Sequence, residues 1–194
     1  MVYGMAHGTL TLDSGQRSRW LRQGQLDGRP LVLLAHGAGA PYTHPFLEAT
    51  AAGLVERGLA VARFHFPYMQ RRVDEGTRRP PDRAPVLLDT WRAMLDKAAG
   101  WRAAGPLILA GKSMGGRMAS MLLADGRAAP GRAAIYLGYP LQPPGQPDAL
   151  RRAHLPGVDV PQLFVSGTRD PLARFDLLED CVASLGHRAQ LHVV

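Results

Sequence analysis

The sequence predicts an α/β fold, a mostly parallel twisted sheet with helices on both faces. Three observations carry this. Short, fully apolar runs recur along the chain, of the kind buried on both faces of a parallel sheet. Amphipathic helical windows alternate with them, and glycines and prolines fall where those windows begin and end. Strand, helix, strand, helix means parallel strands joined by right-handed crossovers. No repeat, charge block or low-complexity linker divides the chain, so residues 1–194 read as a single domain.

Gly8–Leu12 alternates like an exposed edge strand, and Leu31–Ala35 is a wholly apolar one. A helix is expected from Pro45 to Arg57, with Pro45 in its first turn, Phe46, Leu47, Leu54 and Val55 on one face, and Gly58 at its end. Leu59–Phe64 is the next strand, followed by a Pro- and Arg-rich loop over Pro67–Pro85. Helix Val86–Ala99 aligns Leu87, Leu88, Trp91, Met94 and Leu95. Leu107–Ala110 is a strand, and Met114–Leu123 a helix with Met118, Met121 and Leu122 inward. Ala133–Leu137 and Leu163–Ser166 are strands, Arg174–Leu185 is a helix closed by Gly186, and Gln190–Val194 is a last strand. Ligands of such sheets bind at the carboxyl ends of the strands. That selects the loops after Ala35, Phe64, Ala110, Leu137, Ser166 and Val194.

Composition narrows the class. With 46% hydrophobic and 20% charged residues, global disorder is excluded. A membrane-spanning helix needs about 20 apolar residues, and none is present. No secretory signal is visible at the start, and the single Cys181 excludes an internal disulfide and a four-thiolate zinc site. A cytoplasmic protein without metal or cofactor is expected. The net charge of +7 invites a nucleic-acid reading. Only Lys97 and Lys112 are lysines among 23 basic residues, and alanine, glycine and proline are abundant, which is the mark of GC-rich coding. No basic stretch interleaved with aromatics supports nucleic-acid binding.

The strand ending at Ala110 and the helix starting at Met114 flank Gly111-Lys112-Ser113-Met114-Gly115-Gly116. This is G-x-S-x-G in the strand–turn–helix setting that a nucleophile elbow requires: a tight, strained turn lifts the serine above the sheet, and glycines on either side avoid collision. Ser113 is the candidate nucleophile. An oxyanion hole needs two backbone N–H donors. Met114 N–H is one, and the small, flexible loop His36-Gly37-Ala38-Gly39-Ala40 supplies the other, at Ala38 with Gly37 the alternative. His36 itself reads as a hydrogen-bonded packing residue. Gly167-Thr168-Arg169-Asp170-Pro171 puts Asp170 at a strand's carboxyl end as the acid, ahead of Asp148 and Asp159.

These residues resemble the α/β-hydrolase superfamily, and in particular a branch of small dienelactone-hydrolase-like proteins that includes the hydrolase-like domain of a testis-expressed mammalian protein. The matching stretches are LAHGAGA (34–40), ARFHFPYM (62–69), GKSMGGRMAS (111–120), LGYPLQPPGQPDALRRAHL (137–155) and LFVSGTRDP (163–171). The resemblance implies the three-layer α/β-hydrolase fold, carboxylic-ester hydrolase chemistry, Ser113 as nucleophile, Asp170 as acid, and Ala38 and Met114 as oxyanion donors. The family's general base is a histidine a few residues past the last strand. Residues 190–194 end where that loop would begin, so the base is expected beyond Val194. His187 and His192 read as structural, with His65 and His154 as possible substitutes.

Between Leu137 and Leu163 lie 25 residues rich in proline, room for one or two helical turns around Asp148–His154 and no lid domain. An open site favours small or soluble esters or thioesters. Tyr68, with Met69, is a candidate lining of the acyl pocket. Arg71, Arg72, Arg78, Arg79 and Arg83 face the site as candidates for an anionic substrate group, with a solvated basic loop as the plainer alternative. A non-catalytic scaffold on the same fold, binding a partner through this Arg-rich face, is the competing function.

Overall fold

The computed structural model describes residues 4–101, 105–126, 131–146 and 148–194. Among them run β1 (Met5–Thr11), β2 (Arg17–Gln23), β3 (Leu31–Ala35), α1 (Pro45–Glu56), β4 (Ala60–Phe64), α2 (Pro67–Glu75), α3 (Ala84–Ala99), β5 (Leu107–Lys112), α4 (Met114–Ala124), β6 (Gly131–Leu137), β7 (Gln162–Ser166), α5 (Phe175–Ser184) and β8 (Ala189–Val193). The eight strands form one sheet in the order β1-β2-β4-β3-β5-β6-β7-β8. β1 pairs antiparallel with β2, and β2 with β4; all other pairs are parallel.

The register follows from burial. β3 and β4 are buried along their full length. Leu31, Leu33, Ala35 and Phe64 join the core beneath α3, α4 and α5. Val32, Leu34 and Val61 join the core beneath α1, with Leu47, Ala51 and Val55. Helices therefore cover both faces, as expected. Between β6 and β7 there is a single short 3-10 turn, Leu155–Gly157, and no inserted lid among the described residues. Pro147 of this segment lies outside those residues.

Three details differ from expectation. The Pro67–Pro85 segment is not all loop, because its first half is α2. Pro67 pre-sets the first helical turn, and Gly76 ends it in the left-handed conformation at φ 68°, its N–H on Arg72 O. β2 was not expected: its Arg17 and Arg19 point to solvent while Ser18 and Trp20 are buried, so the charges mask an ordinary alternation. Phe46 is not inward. It is exposed, and Lys112 Nζ sits 5.0 Å from its ring centroid.

Candidate active site

The turn between β5 and α4 is strained at one residue. Ser113 has φ 48° and ψ −116°, a region that costs a non-glycine residue about 1–3 kcal/mol. Its neighbours hold it there. Ser113 N–H donates to Leu137 O at the end of β6 (2.9 Å), and Ser113 O accepts from Arg117 N–H in the first turn of α4 (3.0 Å). The glycines permit the close packing. A Cβ on Gly111 would stand 2.3 Å from Gly116 N, and one on Gly115 would stand 2.6 Å from His36 O. The helix start is thereby pressed against the end of β3. Ser113 is half-buried, and its hydroxyl has no hydrogen-bond partner among the described residues.

The loop after β3 lies beside the serine. A Cβ on Gly37 would touch Ser113 Cβ at 3.6 Å. Three carbonyls of this loop are tied down. His36 Nδ1–H donates to Gly37 O (2.7 Å), Tyr68 O–H donates to Ala38 O (3.0 Å) and Gly37 O (3.3 Å), and Arg72 Nη1–H donates to Gly39 O (3.0 Å). In a trans peptide the C=O of one residue and the N–H of the next point in opposite directions. Anchoring Gly37 O toward the core turns Ala38 N–H away from it. Neither Ala38 N–H nor Met114 N–H has a partner among the described residues.

His36 is a strut. Its Nε2 accepts from Phe66 N–H (3.0 Å), which makes Nδ1 the protonated nitrogen. Burial first, then repulsion from His65, outweighs the Gly37 hydrogen bond and lowers its pKa to about 3, so it is neutral at ordinary pH.

The acid candidate stands across the end of β6. Asp170 Oδ1 accepts from Leu172 N–H (2.9 Å), which fixes the carboxylate in a turn after β7. Oδ2 lies over Gly138, where a Cβ would come within 3.1 Å of it. Gly138 directly follows Leu137, whose carbonyl anchors Ser113, so the Ser113 and Asp170 loops share one strand end. Val194 N–H donates to Ser166 O (3.1 Å), and the chain leaves β8 next to Gly167, at the start of the Asp170 turn. Asp148 is exposed, and Asp159 pairs with Arg188 at 2.9 Å on the surface.

No histidine bonds to Ser113 among the described residues. His65 is buried, its Nδ1 3.0 Å from Gln70 Oε1 and its ring stacked 4.2 Å from Tyr42. His154 Nε2 lies 2.8 Å from Ser120 Oγ and 3.4 Å from Tyr139 O–H, along the flank of α4. Burial lowers both pKa values to about 4. His187 and His192 are exposed, at and near the last strand.

Tyr68 is fully buried behind the loop that follows β3 rather than lining an open pocket. Burial, reinforced by Asp82, pushes its phenol pKa well up, so it stays a donor. Asp82 accepts from both Tyr68 N–H (2.7 Å) and Arg71 Nη2–H (2.7 Å), which clamps the start of α2. Arg71 is thus engaged by a carboxylate. Arg72, Arg78 and Arg79 instead line a cavity of about 650 Å³ with Ala38, Gly39, Pro80 and Pro81. Among the described residues there is no cluster of three metal-ligating side chains, and no helix long and apolar enough to cross a membrane.

A parallel sheet with its switch between β3 and β5, a serine in a positive-φ elbow and a glycine loop beside it define an α/β-hydrolase site. The alpha/beta hydrolase domain family model matches residues 28–194, and the chain belongs to that family. Its fold is similar to that of a dienelactone hydrolase from Anabaena variabilis (TM-score 0.80, 21% identity, covering 100% of this chain and 87% of that one). It is also similar to a cold-adapted esterase from an Arctic intertidal metagenomic library (0.75, 19%, 100% and 85%). A lidless α/β serine hydrolase from Xanthomonas campestris shares the fold as well (0.72, 20%, 98% and 83%).

Proposed function

We propose that this protein is a lidless serine hydrolase that cleaves esters or thioesters of small, soluble substrates through an acyl-enzyme on Ser113. The observation that carries the reading is the strained backbone of Ser113, held by hydrogen bonds on both sides and by glycine contacts that tolerate no Cβ. Strain at a polar residue in this position has no structural use but makes sense for a nucleophile lifted toward substrate.

In the proposed reaction Ser113 Oγ attacks the carbonyl carbon as its proton passes to a histidine, and the carbonyl oxygen takes the negative charge. Ala38 and Met114 N–H groups stabilise that charge, with the N-terminus of α4 behind them. Collapse expels the alcohol or thiol, which takes the proton from the histidine, and water then releases the acid by the reverse sequence. Asp170 Oδ2 orients the histidine. His36, His65 and His154 are engaged elsewhere, so none of the three is assigned as that base. That no histidine bonds Ser113 among the described residues also favours the second reading, a scaffold that uses the fold without chemistry.

A fluorophosphonate probe separates the two. The hydrolase reading expects labelling at Ser113 and its loss in Ser113→Ala. Labelling that persists in Ser113→Ala, or no labelling of Ser113 at all, contradicts it.

A further inference from the structure

The cavity beside the oxyanion loop holds more positive charge than its surroundings neutralise. Arg79 is spent on Glu75, with Nη2 at 2.5 Å and Nε at 3.2 Å. Arg72 donates one N–H to Gly39 O, a neutral acceptor, so its charge is uncompensated and its other donors are open. Arg78 has no hydrogen-bond or ion-pair partner among the described residues. Pro80 and Pro81 stiffen the opposite wall. Arg72 and Arg78 thus present guanidinium donors to one concavity without a carboxylate partner of their own among the described residues.

The volume of about 650 Å³ suits a small ligand. Its position matters more than its size. Ala38 and Gly39 form one wall, so a ligand there shares that wall with the carbonyl whose oxygen Ala38 N–H would hold. Arg72 reaches the same loop from α2 through Gly39 O, so a group bound by Arg72 is positioned against the loop that positions the reaction.

We propose that this cavity is an anion subsite in which Arg72 and Arg78 receive a carboxylate or phosphate carried by the ester substrate. The substrate class is therefore an ester or thioester of a small molecule with a second, ionised oxyacid group. Planar guanidiniums pair with either oxyacid through two parallel N–H···O bonds, and the shared chemistry is the anionic oxygen pair. Arg71, held by Asp82, and Arg79, held by Glu75, stand outside this recognition. The inference rests on the hydrolase reading for the place of the reacting carbonyl, but the cavity itself can be tested without turnover.

The test is calorimetric titration of the 1–194 chain at low salt with glutarate, with inorganic phosphate and with the neutral glutaramide. Glutarate and phosphate arms distinguish a carboxylate from a phosphate substrate. Arg78→Gln is the variant, because Arg78 is exposed and touches nothing that folding needs. The expected result is binding of at least one anion, no binding of glutaramide, and at least tenfold weaker anion binding in Arg78→Gln. Anion binding unchanged by that variant, equal binding of glutaramide, or no anion binding overturns the subsite. A parallel labelling of Ser113 with neutral and carboxylate-bearing fluorophosphonates keeps the two readings apart. Arg78-dependent glutarate binding without Ser113 labelling leaves the subsite and removes the hydrolase. Equal labelling by both probes with neither glutarate nor phosphate binding does the reverse.

Discussion

The two sides of the strand end at Leu137–Gly138 are built differently. On the Ser113 side both backbone groups of the serine are bonded, its N–H to Leu137 O and its carbonyl to Arg117 N–H, and the glycines of the turn sit in contacts too close for a Cβ. On the Asp170 side the residue is hydrogen-bonded too, its N–H to Gly167 O (3.4 Å), its carbonyl to Ala173 N–H (3.2 Å) and its carboxylate to Leu172 N–H (2.9 Å). But its closest glycine contact is the looser 3.1 Å from Oδ2 to a Cβ on Gly138, and β8 beside it is largely exposed. Strain can be stored only where the surroundings over-determine it, so the high-energy backbone sits in the crowded half. The acid half is an open shelf suited to orienting another side chain.

Glycine substitutions should break this contrast most visibly. Gly115→Ala puts a Cβ 2.6 Å from His36 O and 2.9 Å from Ala35, backbone and strand core that cannot give way. We expect a loss of about 3 kcal/mol or more, read as a large drop in denaturation midpoint. Gly138→Ala, at φ 63° and 3.1 Å from Asp170 Oδ2, should cost only about 1–2 kcal/mol. Its main effect should be on the rate of ester hydrolysis. Equal destabilisation by both would remove the distinction.

The buried histidines around the Ser113 side can be probed by pH. His36, His65 and His154 are held neutral by burial, at about 3, 4 and 4. The unfolded chain takes up their protons near pH 6.5, whereas the fold resists until well below. The stability is therefore fully present above about pH 6.5 and is lost as pH falls toward 4. Three such protons give a slope of up to about 4 kcal/mol per pH unit between the two values. Denaturant midpoints against pH check this, and His154→Gln should make the slope shallower by about one proton.

A subtler effect concerns Tyr68. Tyr68→Phe removes the donor to Ala38 O, while Gly37 O keeps its hydrogen bond from His36 Nδ1–H, a loss worth about 1 kcal/mol. The loop then holds Ala38 N–H less well, and kcat should fall roughly 10- to 100-fold with KM little changed. A rise in KM alone would make Tyr68 a substrate contact instead.

Most of the fold was legible because its signals are local. Fully apolar β3 and β4, and the Pro and Gly that bound α1, can be read without knowing what they pack against. β2 was not, since Arg17 and Arg19 hide the Ser18/Trp20 face that only pairing with β1 and β4 makes inward. α2 was legible in principle from Pro67 and Gly76, but its arginines read as loop. In the site, G-x-S-x-G marked the strained Ser113 turn because its glycines and its strand–turn–helix setting are local signals. The work of His36, Tyr68 and Arg72 on the loop after β3 was hidden, because each reaches it from a residue 30 or more positions away or through its own ring tautomer.

The most direct measurement of the central claim is the crystal structure of the phosphonate adduct. If Ser113 is the nucleophile and Ala38 and Met114 N–H form the oxyanion hole, phosphorus is bonded to Ser113 Oγ and one phosphonyl oxygen lies about 2.7–3.1 Å from both nitrogens. An adduct on another residue, or a phosphonyl oxygen turned away from both N–H groups, would contradict the account.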